Sequence, residues 1–220
     1  MGDKQRNEHT KYYNKEGIEV PSCTSIVKLL NKPELIGWAN YMGFRRINTT
    51  KFLQQKAEYG TYCHNLAEQY LNGIVLTKED VPDYMNQESR LEMISKLKNF
   101  GDKLNKLEMS ILGMELQLHG NRYGGTLDLL VQAPSKNRII LLDFKTSKSV
   151  YDSHLIQLGG YSMLLEEIYG LTVTDVGIVL LSKNSDSPDF INLLSREDNK
   201  INEEIFEKLL DIYWIKYLSK

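Results

Sequence analysis

The chain has 220 residues, long enough to bury a sizeable core without metal or disulfide staples and suited to one large domain or two small ones. With 41% apolar and 25% charged residues it is neither low-complexity nor collagen-like, and no apolar run approaches the roughly 18 residues that span a bilayer. The net charge of −2 hides an imbalance: residues 1–56 hold ten Lys and Arg against five Asp and Glu, a local +5 that suits a polyanion backbone or a plain solvated face.

The N-terminal stretch lacks the apolar core of a signal peptide, which gives a cytoplasmic expectation with no membrane partner. Tyr12-Tyr13 and Ile18–Val20 flank a turn and read as a short hairpin. Pro21-Ser22 opens a helix running to Asn31, with Ser22 as N-cap. Pro33 starts a second helix whose apolar face carries Trp38, Tyr41 and Met42. A third runs from about Thr50 to Leu71 and stops at Asn72-Gly73, and a fourth from about Asp83 to Leu107 places Met93, Leu97, Phe100 and Leu104 at helical spacing.

At Ser110 the pattern changes to strands: Ile111–His119, Arg122–Ala133 and Arg138–Phe144, the first two joined by a tight turn at Gly120-Asn121. A helix over about Ser153–Tyr169, strands at Asp175–Leu181 and Phe190–Leu194, and a helix over Glu203–Leu218 complete the order. This is an α/β protein: a mostly helical N-terminal part (1–109) laid over a mixed β-sheet core (110–220).

The chemistry concentrates in Gly125-Thr126-Leu127-Asp128 and, fifteen residues later, Asp143-Phe144-Lys145. Consecutive strands lie about 4.8 Å apart, so both carboxylates can converge on one cation. Asp143 and Lys145, at i and i+2, share a sheet face. Oxygen donors of this kind suit Mg²⁺ or Mn²⁺, although a D-x-K tripeptide alone more often pairs internally or caps a turn. Gln157 and Tyr161 share one face of the following helix, His64 sits on the third helix, and Glu115 on the first strand of the sheet.

Taken in order, Gly60-Thr61-x-x-His64, Glu115, Gly125–Asp128, Asp143–Ser147 and Gln157-x-x-x-Tyr161 resemble the PD-(D/E)XK nuclease superfamily, specifically its RecB-type exonuclease branch. That branch includes phage exonucleases and the mitochondrial genome-maintenance exonuclease. The segment from Pro21 through Ile26 to Trp38 is also similar to small phage members. Leu127 stands where the superfamily name has proline.

The resemblance implies a restriction-endonuclease-like fold and a metal-dependent DNA exonuclease giving 5′-phosphate products from single-stranded DNA or DNA ends. Its metal ligands would be His64, Asp128, Asp143 and the Phe144 carbonyl. Lys145 would orient water or stabilise phosphorane charge, Glu115 would serve a second ion or the water, and Gln157 and Tyr161 would hold the phosphodiester backbone. An imidazole among carboxylates shifts the expectation somewhat toward Mn²⁺.

Arg45 and Arg46 are candidate phosphate contacts, with Tyr41 and Phe44 as either base-stacking platforms or ordinary core aromatics. Two cysteines, Cys23 and Cys63, exclude the four-thiolate iron–sulfur cluster of the CRISPR-adaptation relatives. No G-x-x-x-x-G-K-[ST] is present, so ATP-driven translocation would need a helicase or recombination partner chain; a homo-oligomer is equally open. The rival reading keeps the fold and drops the reaction: a nucleic-acid-binding or assembly subunit. A Cys63–His64 hydrolase fails because adjacent helical residues point about 100° apart.

Overall fold

The computed structural model describes residues 10–30, 32–75, 87–135, 137–181 and 191–218. In chain order these form β1 (Tyr12–Tyr13), β2 (Glu19–Val20), α1 (Cys23–Val27), α2 (Glu34–Phe44), α3 (Thr49–Leu71) and α4 (Gln87–Lys106). There follow β3 (Ser110–His119), β4 (Gly124–Gln132), β5 (Ile139–Lys145), α5 (Asp152–Tyr169), β6 (Asp175–Leu180), β7 (Ile191–Ser195) and α6 (Arg196–Leu218).

Strands β3 to β7 make one mixed sheet in sequence order. All neighbours are antiparallel except β5 and β6, which run parallel and are connected through α5. Two apolar layers cover the sheet. Cys23, Ile26, Leu158, Leu164, Phe206 and Leu210, from α1, α5 and α6, pack with Leu127, Leu141 and Ile178. Cys63, Leu66, Leu97 and Phe100, from α3 and α4, pack with Leu129, Val131, Leu142 and Phe144. A sheet buried on both faces explains why β5 reads Ile-Ile-Leu-Leu-Asp-Phe-Lys with almost no alternation. The mixed α/β class, a β-sheet flanked by helices, is as expected.

Several boundaries differ from the sequence expectation, each for a local reason. The first helix ends at Val27 rather than Asn31, with Leu29 and Leu30 closing as tight turns onto Ile26 and Val27. The β3–β4 connection is a tight turn one residue later than expected: beyond the His119–Gly124 rung the Gly120 amide donates to the Tyr123 carbonyl at 3.0 Å, leaving Asn121 and Arg122 at the tip, and the Tyr123 hydroxyl donates to the Gly160 carbonyl at 2.8 Å. The last helix starts at Arg196, not Glu203: Ser195 caps it, its Oγ accepting from the Asp198 amide at 3.1 Å. The expected starts at Pro82-Asp83 and Phe190 lie outside the described residues.

Helix α2 departs most. Of its expected apolar face only Met42 is buried; Trp38 is half-buried and Tyr41 is exposed. The sheet's two faces are already covered by α3–α4 and by α1, α5 and α6, so α2 packs mainly on α3 and keeps one side in water.

Helices α5 and α6 cross closely at Gly159, where an added Cβ would lie 2.8 Å from the Glu203 amide nitrogen. Only glycine allows that approach, and it fixes the helix that carries Gln157.

Candidate metal centre

Register places the acids before any side chain is considered. Met114 pairs with Leu129 and Leu116 with Leu127, so Glu115 stands opposite Asp128. The last rung of the next ladder is Leu129 with Leu142, and continuing its register sets Asp128 opposite Asp143. Glu115, Asp128 and Asp143 thus form one row across β3, β4 and β5. Like charges directly opposed are destabilising without a counter-charge.

Three cationic or neutralising groups meet the row. His64 reaches it from α3, its Nδ1 3.3 Å from Asp128 Oδ1 and 4.0 Å from Glu115 Oε1. Lys145 Nζ lies 2.5 Å from Asp143 Oδ2. The Phe144 amide donates to Asp128 Oδ2 at 2.7 Å, taking up the backbone donor just past the last β4–β5 rung. The carboxylate therefore replaces a ladder bond where the two strands part.

Electrostatics follow from this packing. Burial opposes the charged Asp128, yet His64, Lys145 and the Phe144 amide together hold its carboxyl below the usual range. Asp143 shows the reverse balance: burial, aided by the Asp128 charge, pushes it up to about 6 against the pull of Lys145 and His64. Burial lowers the pKa of His64, but the Asp128 carboxylate outweighs it and the net shift is upward. Lys145 is likewise raised, because Asp143 and Asp128 outweigh burial.

His64, Glu115 and Asp128 offer one nitrogen and two oxygen donors that lie within 4.8 Å of one another. Around an ion with ligands at about 2.1 Å, neighbouring donors sit about 3 Å apart and opposite ones about 4.2 Å. The His64 distances of 3.3 and 4.0 Å fall within that range. Residues of this chain could therefore hold a divalent cation, with Glu115 where the expectation had Asp143. Asp143 is engaged with Lys145 instead, and Phe144 meets the site through its amide.

Gln157 and Tyr161 join the site through a hydrogen-bond network. The Gln157 Oε1 accepts from Lys145 Nζ at 3.1 Å, while its Nε2 donates to Tyr161 Oη at 2.9 Å and to Thr24 Oγ1 at 3.1 Å. That amide is occupied within the protein, and Tyr161 is buried. Gln157 holds Lys145 in place, and Tyr161 holds Gln157. Arg45 and Arg46 are exposed at the end of α2, and Arg45 lies over the Tyr41 ring at 5.2 Å from its centroid.

Two residues the sequence did not single out contribute here. Thr24 lies in the Pro21–Ile26 segment, and only the fold brings it to Gln157. His154, one turn before Gln157 on α5, accepts from the Tyr151 amide at 3.3 Å. Burial first, then Lys145 and Lys32, lower its pKa to about 4, which keeps it neutral beside the lysine. Its spacing of i, i+3 and i+7 with Gln157 and Tyr161 was a readable signal.

No family model matches the chain, and no curated protein matches it. The crystal structure of SSO0001 is similar over 58% of this chain and 61% of its own, less than two thirds of that protein, at 15% identity and a TM-score of 0.32. Among the described residues, no helix is long and apolar enough to cross a membrane.

Proposed function

We propose that this protein is a divalent-metal-dependent deoxyribonuclease, an exonuclease acting on single-stranded DNA or DNA ends to give 5′-phosphate products. One observation carries the reading: a row of three carboxylates across adjacent strands, met by a histidine at Asp128 and Glu115 and by a half-buried lysine at Asp143. Structural ion pairs rarely need three acids in line, because each added anion raises the cost of the empty site.

Mg²⁺ or Mn²⁺ held by His64, Glu115 and Asp128 would supply Lewis-acid polarisation of the scissile phosphate and an acidified water. The remaining work falls to the chain. Lys145, fixed between Asp143 and Gln157, presents its ammonium to the charge that develops on the phosphorus oxygens. Asp143 keeps that ammonium charged. Gln157, held by Tyr161 and Thr24, limits its swing. End-labelled single- and double-stranded DNA incubated with Mg²⁺ or Mn²⁺ tests the reading. Nucleotide or short-oligonucleotide release is expected; binding without metal-dependent cleavage would favour the non-catalytic nucleic-acid-binding or assembly subunit.

The solvent side of α2 supports a single strand as substrate. Phe44 is 95% and Tyr41 56% exposed, and with Asn40 and Arg45 they line a groove of about 350 Å³. Arg46, with φ of 55°, closes the helix in the left-handed region that favours glycine, its amide donating to the Gly43 carbonyl at 2.9 Å. Aromatic faces beside guanidinium groups stack bases and grip phosphates, each stacked base contributing about 1–3 kcal/mol. Replacing Arg45 and Arg46 together by Ala should weaken single-stranded DNA binding and reduce the slope of log K against log salt by about 1.4. Fluorescence anisotropy across a salt series measures it, and an unchanged slope would remove both arginines from the interface.

A further inference from the structure

We infer that Thr24 is a positioning residue for the proposed reaction, acting on Lys145 through the side-chain amide of Gln157. The inference rests on the nuclease reading and adds to it a role for the N-terminal segment, which the carboxylate row does not require.

Helix α1 is seated against β4, α5 and α6. Ser22 forms an isolated parallel bridge with Gly124, the Gly124 amide donates to the Pro21 carbonyl at 3.0 Å, and Ser22 caps the helix through the Ser25 amide at 3.1 Å. Cys23 is fully buried against α5: a Cβ added at Gly160 would lie 2.8 Å from its Sγ. That thiol donates to the Gln157 carbonyl at 3.5 Å. Consecutive residues of α1 therefore hold one residue of α5 twice, Cys23 at the main chain and Thr24 at the side chain.

The hydrogen-bond inventory then fixes the amide's direction. Lys145 can only donate, so the Gln157 atom facing it must be the carbonyl oxygen. The amide nitrogen has two hydrogens, and Thr24 Oγ1 and Tyr161 Oη take one each. Without the Thr24 acceptor, one hydrogen loses its partner and the amide loses one of its two fixed points. The Gln157 oxygen can then turn from Lys145, leaving the ammonium held by Asp143 alone. A reacting group displaced by about 1 Å can cost on the order of 100-fold in rate. Thr24 is itself exposed, so water replaces part of the lost bond and the loss should be smaller.

Thr24→Val keeps the shape and removes the acceptor, while Thr24→Ser keeps the hydroxyl. The expected result is a kcat about ten-fold lower for Thr24→Val with KM unchanged, and near wild-type kcat for Thr24→Ser. Thermal melting checks that both variants fold as wild type does. In parallel, ¹⁵N–¹H spectra should show the Gln157 side-chain amide signals moved in Thr24→Val and retained in Thr24→Ser. An unchanged kcat in Thr24→Val, a loss confined to KM, or unmoved amide signals would each overturn the inference. A wild-type protein that cleaves no DNA would instead overturn the nuclease reading, and the amide signals would still decide whether Thr24 holds Gln157.

Discussion

Lys145→Ala is expected to lower metal-dependent DNA cleavage by at least about 10²-fold while DNA binding changes far less. Even one neutral hydrogen-bond donor aimed at transition-state charge contributes about 2.7–4 kcal/mol, equivalent to 10²–10³ in rate, and a fixed cation acts on the same charge. This lysine also sets the state of its surroundings. It lies 2.5 Å from Asp143, whose carboxyl burial has pushed up to about 6. With the ammonium gone, Asp143 keeps its burial and its Asp128 neighbour but loses the attraction that favours its charge, so it titrates higher still. The variant therefore loses both the cation and the anion that steadied it. Single-turnover cleavage of end-labelled DNA measures the loss, and activity within ten-fold of wild type would sink the assignment. Lys145→Met, which fills the volume without charge, separates catalytic loss from unfolding.

Asp128→Asn should weaken Mn²⁺ binding by at least about 100-fold, because Asp128 is the middle carboxylate of the row and the partner of His64. Calorimetric titration measures this directly, and an unchanged isotherm would place the cation elsewhere. Wild-type affinity should also depend on pH with a definite sign. Burial depresses the His64 pKa, but Asp128 more than offsets this and leaves it raised. A bound cation needs the neutral imidazole, so protons and metal compete. Affinity should fall as pH drops through the raised pKa of His64 and keep falling toward the Asp143 value of about 6. When no cation is added, these same raised values should stabilise the fold at low pH: the His64 contribution is complete below its unfolded value near 6.5 and lost above its raised one. Asp143 behaves alike, with its contribution complete below about 3.8 and lost as pH rises through about 6.

Much of this was legible from residue order. The spacing from Asp128 to Asp143 sets consecutive strands, and strand period two puts Asp143 and Lys145 together; both are properties of the backbone that a sequence displays. Helix spacing likewise paired Gln157 with Tyr161. What the sequence did not display is which partner each group takes. Whether Asp143 faces a cation or Lys145, and whether Gln157 is open or saturated, depends on contacts between residues more than one hundred positions apart, such as Thr24 with Gln157. The exposure of α2 was hidden for a related reason: periodicity reports an apolar face but not whether other helices have already covered the sheet. The early start of α6 was readable, since Ser195 and Asp198 form a cap signature before the apolar pattern begins.

Glu115 carries a further consequence. Its φ is 47°, a left-handed conformation inside a strand, where a side-chain-bearing residue bears a local cost of about 1–3 kcal/mol. That twist is borne at the very position facing Asp128. The same turn of backbone crowds two anions together, and a cation held between Glu115 and Asp128 would offset their mutual repulsion. Ion capture and thermal resilience are then linked through that repulsion, so the melting temperature should rise as Mn²⁺ is added.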